Sequence, residues 1–378
     1  VTTASYLPDP VRIVGTGLIG GSLGLALRAA GVEVQVEDAS PGTTALAVEL
    51  GVGAAPTADG PDPRLVLVAA PPDVTARLVV DALGRFPDAL VADVASVKES
   101  ILVQVLDARS RGMLQDRDVA RYIGAHPMAG RETSGVIAAR ADLFQGRPFV
   151  VVPHPASDPR GSRALKAIAT EIGAVPSVLD AHGHDAAVAH VSHVPQVLSS
   201  LVATTLLDAE EKAMGLSGQG LRDTTRIASS DPGLWVEILA GNAPAIAPVL
   251  REARDRLDGV VGALDALSHT PDPAPDAGAR RTIASLVAEG NRGVGRIPGK
   301  HGGAGDSFAT VMVLVPDRPG ELGRLFTEMG SIGVNLEDLQ LEHTLGQPVG
   351  VAHVAVRAGR EDLLTSELRE RGWTVAEA

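Results

Sequence analysis

Residues 11–31 read VRIVGTGLIGGSLGLALRAAG. A short β-branched strand over 11–14 runs into a glycine cluster at 15–24, and an apolar helix follows to about Ala30. Gly15-Thr16-Gly17-Leu18-Ile19-Gly20 is a G-x-G-x-x-G set between a strand and a helix, the context in which that string has physical meaning. The first glycine permits a tight turn. The second lets the backbone approach a pyrophosphate, and the third lets the helix pack closely on the sheet. The helix N-terminus adds partial positive charge for the anion. The bland alternative is a glycine-rich turn with no ligand.

Residues 32–36 (VEVQV) read as a second strand, and Glu37 and Asp38 close it. Asp38 lies 18 residues after Gly20, the spacing at which a carboxylate meets the ribose hydroxyls of a bound dinucleotide. No Arg or Lys is expected nearby to hold a 2′-phosphate, since Arg28 is on the preceding helix, so NAD is favoured over NADP. The alternative is a pair of acids facing solvent at a strand end. Further strands are expected at 65–70 (LVLVAA), 89–94 (ALVADV), 121–125 and 148–152, with helices over 74–86 and 101–110. Continuous apolar strands alternating with helices indicate a doubly wound parallel sheet. Ala70 and Pro71, where the third strand ends, join Gly15, Gly17, Leu18, Ile19, Gly20 and Asp38 as candidate cofactor contacts.

After about residue 180 the periodicity becomes helical, over 185–212, 233–240, 244–267 and 279–290, with a Pro-rich loop at 270–278. Residues 298–306 (PGKHGGAGD) read as a linker. The last stretch alternates again: a strand at 308–315, a DRPG turn at 317–320, a helix at 321–329 and a strand at 333–343. A turn at Gly346, a strand at 349–357, a helix at 361–371 and a strand at 373–375 complete a βαββαβ ferredoxin-like order. The expected division is 1–178 (Rossmann-like, dinucleotide-binding), 179–297 (all-α), 298–307 (linker) and 308–378 (βαββαβ).

Composition narrows the function. The 378 residues carry a net charge of −13, which argues against a nucleic-acid partner. With no cysteine, a disulfide scaffold, a thiolate zinc site and a cysteine nucleophile are excluded. Only Lys98, Lys166, Lys212 and Lys300 are lysines, a bias of the genome rather than of function. No continuous apolar run reaches the length of a membrane span, and 1–10 lack a secretion-signal pattern. A cytoplasmic protein with no membrane partner is the expectation.

Of the ten histidines, His126 is best placed, in Gly124-Ala125-His126-Pro127-Met128-Ala129-Gly130, just past a strand on the side where doubly wound sheets bind ligands. Near neutral pH an imidazole suits removal of a hydroxyl proton. A structural histidine capping the strand is the even alternative. His184, His190 and His193 share one helical segment, and His190 and His193 at i, i+3 could share a face. No carboxylate pattern of a metal site accompanies them, so no metal is expected and His193 is read as facing a substrate cleft. His154, His269, His301 and His343 read as surface or loop residues.

Five strings together resemble the TyrA family, the prephenate and arogenate dehydrogenases: GTGLIGGSLG (15–24), DVASVKESI (93–101), GAHPMAGRETSG (124–135), HDAAVAHVSHVPQ (184–196) and RDTTRIASSDPGLW (222–235). The tail, with DRPG and Gly333-Val334-Asn335-Leu336, resembles an ACT domain. The resemblance implies an NAD-linked oxidative decarboxylation: prephenate to 4-hydroxyphenylpyruvate, or arogenate to tyrosine. It implies that His126 is the catalytic base and that Ser96 bonds the histidine and the substrate hydroxyl. Ser96 also reads as a helix N-cap, with Glu99 completing a capping box.

Arg226 matches the residue that grips a substrate carboxylate, and Glu132 and Asp223 match acids near the entrance. Gly135, His193, Gln196 and Arg131 complete the substrate set. Arg131 stands where many relatives carry a small hydroxyl residue and Gln196 where others carry a second histidine, which leaves prephenate against arogenate open. The resemblance further implies a homodimer built on the helical domain. It implies a possible tyrosine effector at Asp317, Pro319, Gly320, Asn335 and Leu336. Two competitors stand beside it: a hydroxyacid dehydrogenase with a catalytic lysine, for which only Lys212 could serve, and a non-catalytic NAD and amino-acid sensor.

Overall fold

The structure, a computed structural model, describes residues 7–131, 133–269, 277–297, 308–343 and 349–376. The chain divides into two units, Val1–Ala253 and Arg254–Ala378.

In the first unit, strands and helices alternate in chain order: β1 (Val11–Val14), α1 (Leu18–Ala29), β2 (Val34–Glu37), α2 (Pro41–Glu49), β3 (Leu65–Val68), α3 (Pro72–Arg85) and β4 (Leu90–Asp93). Next come α4 (Glu99–Ser110), α5 (Asp116–Ala120), β5 (Tyr122–Pro127), β6 (Pro148–Val152), α6 (Pro159–Glu171) and β7 (Val175–Val178). They form one seven-stranded sheet of order β2-β1-β3-β4-β5-β6-β7. β1 to β5 are parallel, with Val11 beside both Val34 and Leu65. One reversal interrupts the expected parallel sheet: β6 runs antiparallel to β5, from Gly124↔Val152 to Pro127↔Phe149, and β7 follows β6 in parallel. The cause is the connection. Among the described residues of 128–147 there is one short 3₁₀ turn, Val136–Ala138, and no crossover helix to carry the chain back for a parallel return.

Both faces of this sheet are buried at its central strands, while the edge strand β7 is exposed. Val11, Ile13, Leu65 and Leu67 point into one core with Leu23 and Leu165, while Val66, Val68 and Val91 point into the other with Val79 and Ile101. That two-sided burial is why these strands read as continuous apolar runs rather than alternating ones.

The helical part of this unit begins with α7 (Ala181–Val188), a π turn over Ala189–His193 and α8 (Val194–Thr204). The helix expected over 185–212 is thus interrupted and ends early. α9 (Glu211–Met214), α10 (Gln219–Thr225), a 3₁₀ turn at Arg226–Ala228, α11 (Pro232–Gly241) and α12 (Ala243–His269) follow. Asp180 and Asp231 cap α7 and α11 through the amides of Gly183 and Leu234. α11 lays Ile238 and Trp235 against the core beneath α3 and α4.

Ala181–Thr204 is long and apolar enough, by length and composition, to cross a membrane. The expectation that no such run exists misses it because His184, Asp185, His190 and His193 interrupt the apolar residues without lowering their average enough. Asp185 on this run accepts hydrogen bonds from the start of α4, which ties its first turns to the sheet domain, while Val191, Leu198 and Leu201 stay exposed.

In the second unit α12 continues from Arg254 and is followed by α13 (Ala277–Val294), with Arg256 paired to Glu289 at 2.8 Å. β8 (Phe308–Pro316), α14 (Glu321–Ile332), β9 (Asp338–His343), β10 (Val349–Arg357), α15 (Glu361–Glu370) and β11 (Thr374–Ala376) then form the βαββαβ order read from the sequence. The antiparallel sheet runs β11-β8-β10-β9. β8 and β10 alternate in burial because the helices cover one face: Val313, Val354, Leu325 and Leu364 fill that core. The linker at 298–307, the Gly346 turn, residues 270–276, Glu132 and His301 lie outside the described residues, as do the side chains of His269 and His343.

Candidate active site

β1 delivers the chain to Gly15, whose φ of +94° and position leave no room for a side chain. A Cβ there would sit 2.5 Å from the Ala69 carbonyl oxygen. Gly20 is packed as closely, its Cβ site 2.0 Å from the Gly15 oxygen, so α1 can lie on the strand turn. Gly17 differs: its Cβ site has nothing within 4 Å and opens into a cleft of about 620 Å³. α1 starts at Leu18 with no side-chain cap and no acid in its first turn. Unclaimed amides at an uncapped N-terminus, beside a glycine with open space, fit a pyrophosphate. Gly17, Leu18, Ile19, Ala70 and Pro71 line the cleft, whereas Gly15 and Gly20 shape the loop from behind.

Asp38 follows β2 and bonds back to the glycine loop, accepting from the Thr16 amide at 2.9 Å, the Thr16 hydroxyl at 3.2 Å and the Ser40 amide at 3.0 Å. Its neighbourhood corrects one expectation. Arginines are near this strand end: Arg12 and Arg85 approach Glu37 at 3.8 and 3.5 Å, brought there by the fold from other elements and held by that acid.

Across the cleft, His126 is the second-last residue of β5, inside the strand rather than past it, and is buried but lines the opening together with Ser96. The two do not hydrogen-bond each other; His126 Nδ1 instead meets His184 Nε2 at 2.9 Å. His184 Nδ1 lies 2.7 Å from Asp185 Oδ1, and the Asp185 carboxylate accepts from the amides of Lys98 and Glu99 at 2.9 and 2.8 Å. The N-cap role expected of Ser96 is therefore corrected. α4 starts at Glu99, Lys98 occupies the cap position without a side-chain bond, and a carboxylate from α7 serves the free amides. No capping box forms; Glu99 reaches His182 at 3.3 Å. Beneath, the Lys98 ammonium is buried against Asp93, which also accepts from the Tyr122 hydroxyl at 2.8 Å.

His193, at the end of the π turn, is buried and lines the cleft, while His190 is exposed, so the face they were expected to share does not exist. π turns offset successive side chains in this way and occur often at functional sites. His193 Nδ1 accepts from the Asn242 amide at 3.0 Å, and the ring stands edge-on to Trp235. Burial pushes the His126 imidazole well below its usual range, with His184, Lys98 and His193 adding to the effect. Burial likewise lowers His184, and brings His193 to about 4. All three are neutral rings at pH 7.

The remaining candidates divide. Arg131 and Gly135 line the cleft, and Arg131 is the one Arg or Lys among the described lining residues. Arg226 is exposed on its 3₁₀ turn and Asp223 is exposed and bonded to Gln219, neither on the cleft wall. Gln196 is buried beside Ser200. Lys212, which a lysine mechanism would need, is exposed on α9 away from the lining. His154 is buried, not on the surface, with Nε2 near the Val119 carbonyl. In the second unit Asp317, Pro319 and Gly320 are exposed before α14, Asn335 bonds Glu337 at 3.0 Å, and Leu336 packs on the sandwich core. Sequence reading missed Asp185 and Asn242 as site residues and gave His184 no task. The adjacent pair His184-Asp185 was a visible signal, but its partners lie 58 and 87 positions away.

A dinucleotide cradle and a neutral buried histidine on one cleft define an oxidoreductase of the Rossmann class. The chain belongs to the prephenate dehydrogenase family. Residues 23–178 match the family model "Prephenate dehydrogenase, nucleotide-binding domain", and residues 180–266 match "Prephenate dehydrogenase, dimerization domain". A Streptomyces niveus relative, Probable prephenate dehydrogenase NovF, is 35% identical over 96% of this chain and 98% of its own length. The Bacillus subtilis prephenate dehydrogenase is 25% identical over 94% of each chain. Among solved structures, an A. aeolicus prephenate dehydrogenase in complex with hydroxyphenyl propionate and NAD+ has a TM-score of 0.63 at 23% identity. It covers 76% of this chain and 97% of its own. A Synechocystis arogenate dehydrogenase has a TM-score of 0.58 at 24% identity, over 75% and 99%. These two support the fold.

Proposed function

We propose that this chain catalyses the NAD-dependent oxidative decarboxylation of prephenate to 4-hydroxyphenylpyruvate, as a cytoplasmic homodimer formed through its helical region. The observation that carries the reading is a neutral His126 opening into the same cleft as the uncapped start of α1. Gly17, Leu18 and Ile19 would hold the NAD pyrophosphate and Asp38 the adenosine ribose. Bound NAD supplies the acceptor for the hydride that leaves the ring carbon. His126 takes the hydroxyl proton as the C–O bond becomes a carbonyl, and loss of the ring carboxylate as CO₂ then restores aromaticity. Ser96, on the same wall, would steady the hydroxyl. Arg131 would face a substrate carboxylate from the lining, and Arg226 a second one.

The test is NADH formation measured separately with prephenate and with arogenate. Turnover of prephenate is expected; turnover of arogenate alone would reassign the substrate, and none with either would remove the reading.

We further propose that 308–378 acts as an ACT domain binding an aromatic amino acid such as tyrosine. Asp317, Pro319, Gly320, Asn335 and Leu336 are the candidate contacts, supported by the βαββαβ order and the exposed turn before α14. Calorimetry on the full chain should give heat with tyrosine and an altered substrate KM. The absence of both at millimolar effector would leave the sandwich without a ligand.

A further inference from the structure

The chain of bonds behind His126 has a direction. Asp185 Oδ1 has only lone pairs to offer, so the His184 nitrogen 2.7 Å away, Nδ1, carries a proton. Burial keeps His184 neutral, and a neutral imidazole has one N–H, so its Nε2 is bare. A bare Nε2 can only accept, so the His126 nitrogen 2.9 Å from it, Nδ1, is the donor. His126 is neutral too, which leaves its Nε2 without a proton. The ring lines the cleft, and Nε2 is the nitrogen not engaged by His184.

We infer that His184 and Asp185 are positioning residues that set the tautomer of His126, presenting Nε2 as the acceptor for the substrate hydroxyl proton. The inference rests on His126 being the base. The amides of Lys98 and Glu99 hold the Asp185 carboxylate in place, Lys98 on the same Oδ1 that faces His184 and Glu99 on Oδ2, so the relay is anchored at the start of α4. When His126 takes the proton at Nε2, its Nδ1–H still points at His184, and the new positive charge faces a chain that ends in a carboxylate. Lys98, Asp93 and His193 are the other charged or titratable groups around the pair. Lys98 is matched by Asp93 and so does not cancel Asp185.

The second histidine shows the same logic reversed. Asn242 gives one amide N–H to the Asp185 backbone carbonyl at 2.8 Å, which fixes its amide orientation, and the other to His193 Nδ1 at 3.0 Å. His193 therefore carries its proton on Nε2. One peptide segment, through the carboxylate of Asp185 and through its carbonyl, thus sets a proton acceptor and a proton donor on the same cleft.

The full-length protein labelled with ¹⁵N-histidine and saturated with NAD tests this without any turnover. His126 signals, assigned by their loss in His126→Gln, should show the proton on Nδ1 at pH 7; a proton on Nε2 overturns the inference. Because substrate is not needed, failure to turn over prephenate would leave this result readable. Kinetics add a second arm with whichever substrate the protein turns over. His184→Phe leaves the Asp185–amide bonds intact and should lower kcat by about 100-fold with KM and NAD affinity nearly unchanged. His184→Gln restores the polarity, an NH₂ toward Asp185 and a carbonyl toward His126. It should recover kcat to within about 10-fold of the unmutated enzyme. Equal rates for His184→Phe and the unmutated enzyme, with unchanged pH profiles, would overturn the positioning role.

Discussion

The two walls of the cleft hold their polar groups by opposite means. On the β1–α1 side the donors are backbone amides, and side chains there, at Gly15, Gly17 and Gly20, are absent so that the backbone can turn, open and pack. On the α7–α11 side the polar groups are side chains, and each is set by another: Asp185 directs His184, and Asn242 directs His193. A wall of amides has no titration and no tautomer. A wall of imidazoles has both, and it depends on single atoms. His126 stands where the walls meet, on a strand of the sheet but bonded to the helix.

The comparison breaks most visibly at that junction. His126→Ala should lower kcat by about 10²–10⁴-fold with little change in NAD affinity, because the amide wall remains whole. Turnover near normal would show that the base lies elsewhere. Next in size are the cations. Arg131→Ala and Arg226→Ala should each raise KM for substrate by roughly 10- to 100-fold, the loss of a charge-assisted pair worth about 1.5–3 kcal/mol. Steady-state kinetics decides between them: an effect at Arg131 alone would make the cleft lining sufficient and leave exposed Arg226 outside substrate binding.

Asp38→Ala probes the amide wall, since that carboxylate bonds the Thr16 amide of the loop. NAD binding should weaken by about 10-fold and discrimination against NADP should relax, because a carboxylate repels a 2′-phosphate. Titrations with both cofactors check it, and an unmutated protein that already prefers NADP would refute it.

The smallest effect sharpens the contrast in titration. Burial brings His193 to about 4, whereas the unfolded chain protonates histidine near 6.5. Between those values the unfolded state binds more protons, so stability is whole above about pH 6.5 and falls as pH drops toward 4. The slope reaches about 1.4 kcal/mol per pH unit for a histidine of this kind, and His126 and His184 act in the same direction. Melting temperatures from pH 7 to pH 5 should decline, less steeply in His193→Gln; a flat profile in the unmutated protein would contradict the burial argument.

Features whose physics is local are legible in the order of residues alone. A strand, three glycines and a helix are contiguous, so the phosphate cradle is legible in residues 11–31. Two-sided burial writes itself as unbroken apolar strands, and one-sided burial as the alternation of β8 and β10. The HPMAG segment could be placed at a strand end for the same reason. Contacts between residues far apart in the chain follow from packing instead. The β5–β6 reversal depended on residues 128–147 failing to form a crossover helix. The start of α4 looked self-capped through Ser96 and Glu99, yet a carboxylate 86 and 87 positions away took the amides. The π turn separated His190 from His193, which a regular helical spacing had put on one face. Which nitrogen of His126 is bare follows from a neighbour 58 residues on. Proton positions in a buried network are set by whichever groups packing brings within about 3 Å, and a sequence orders residues without stating those distances.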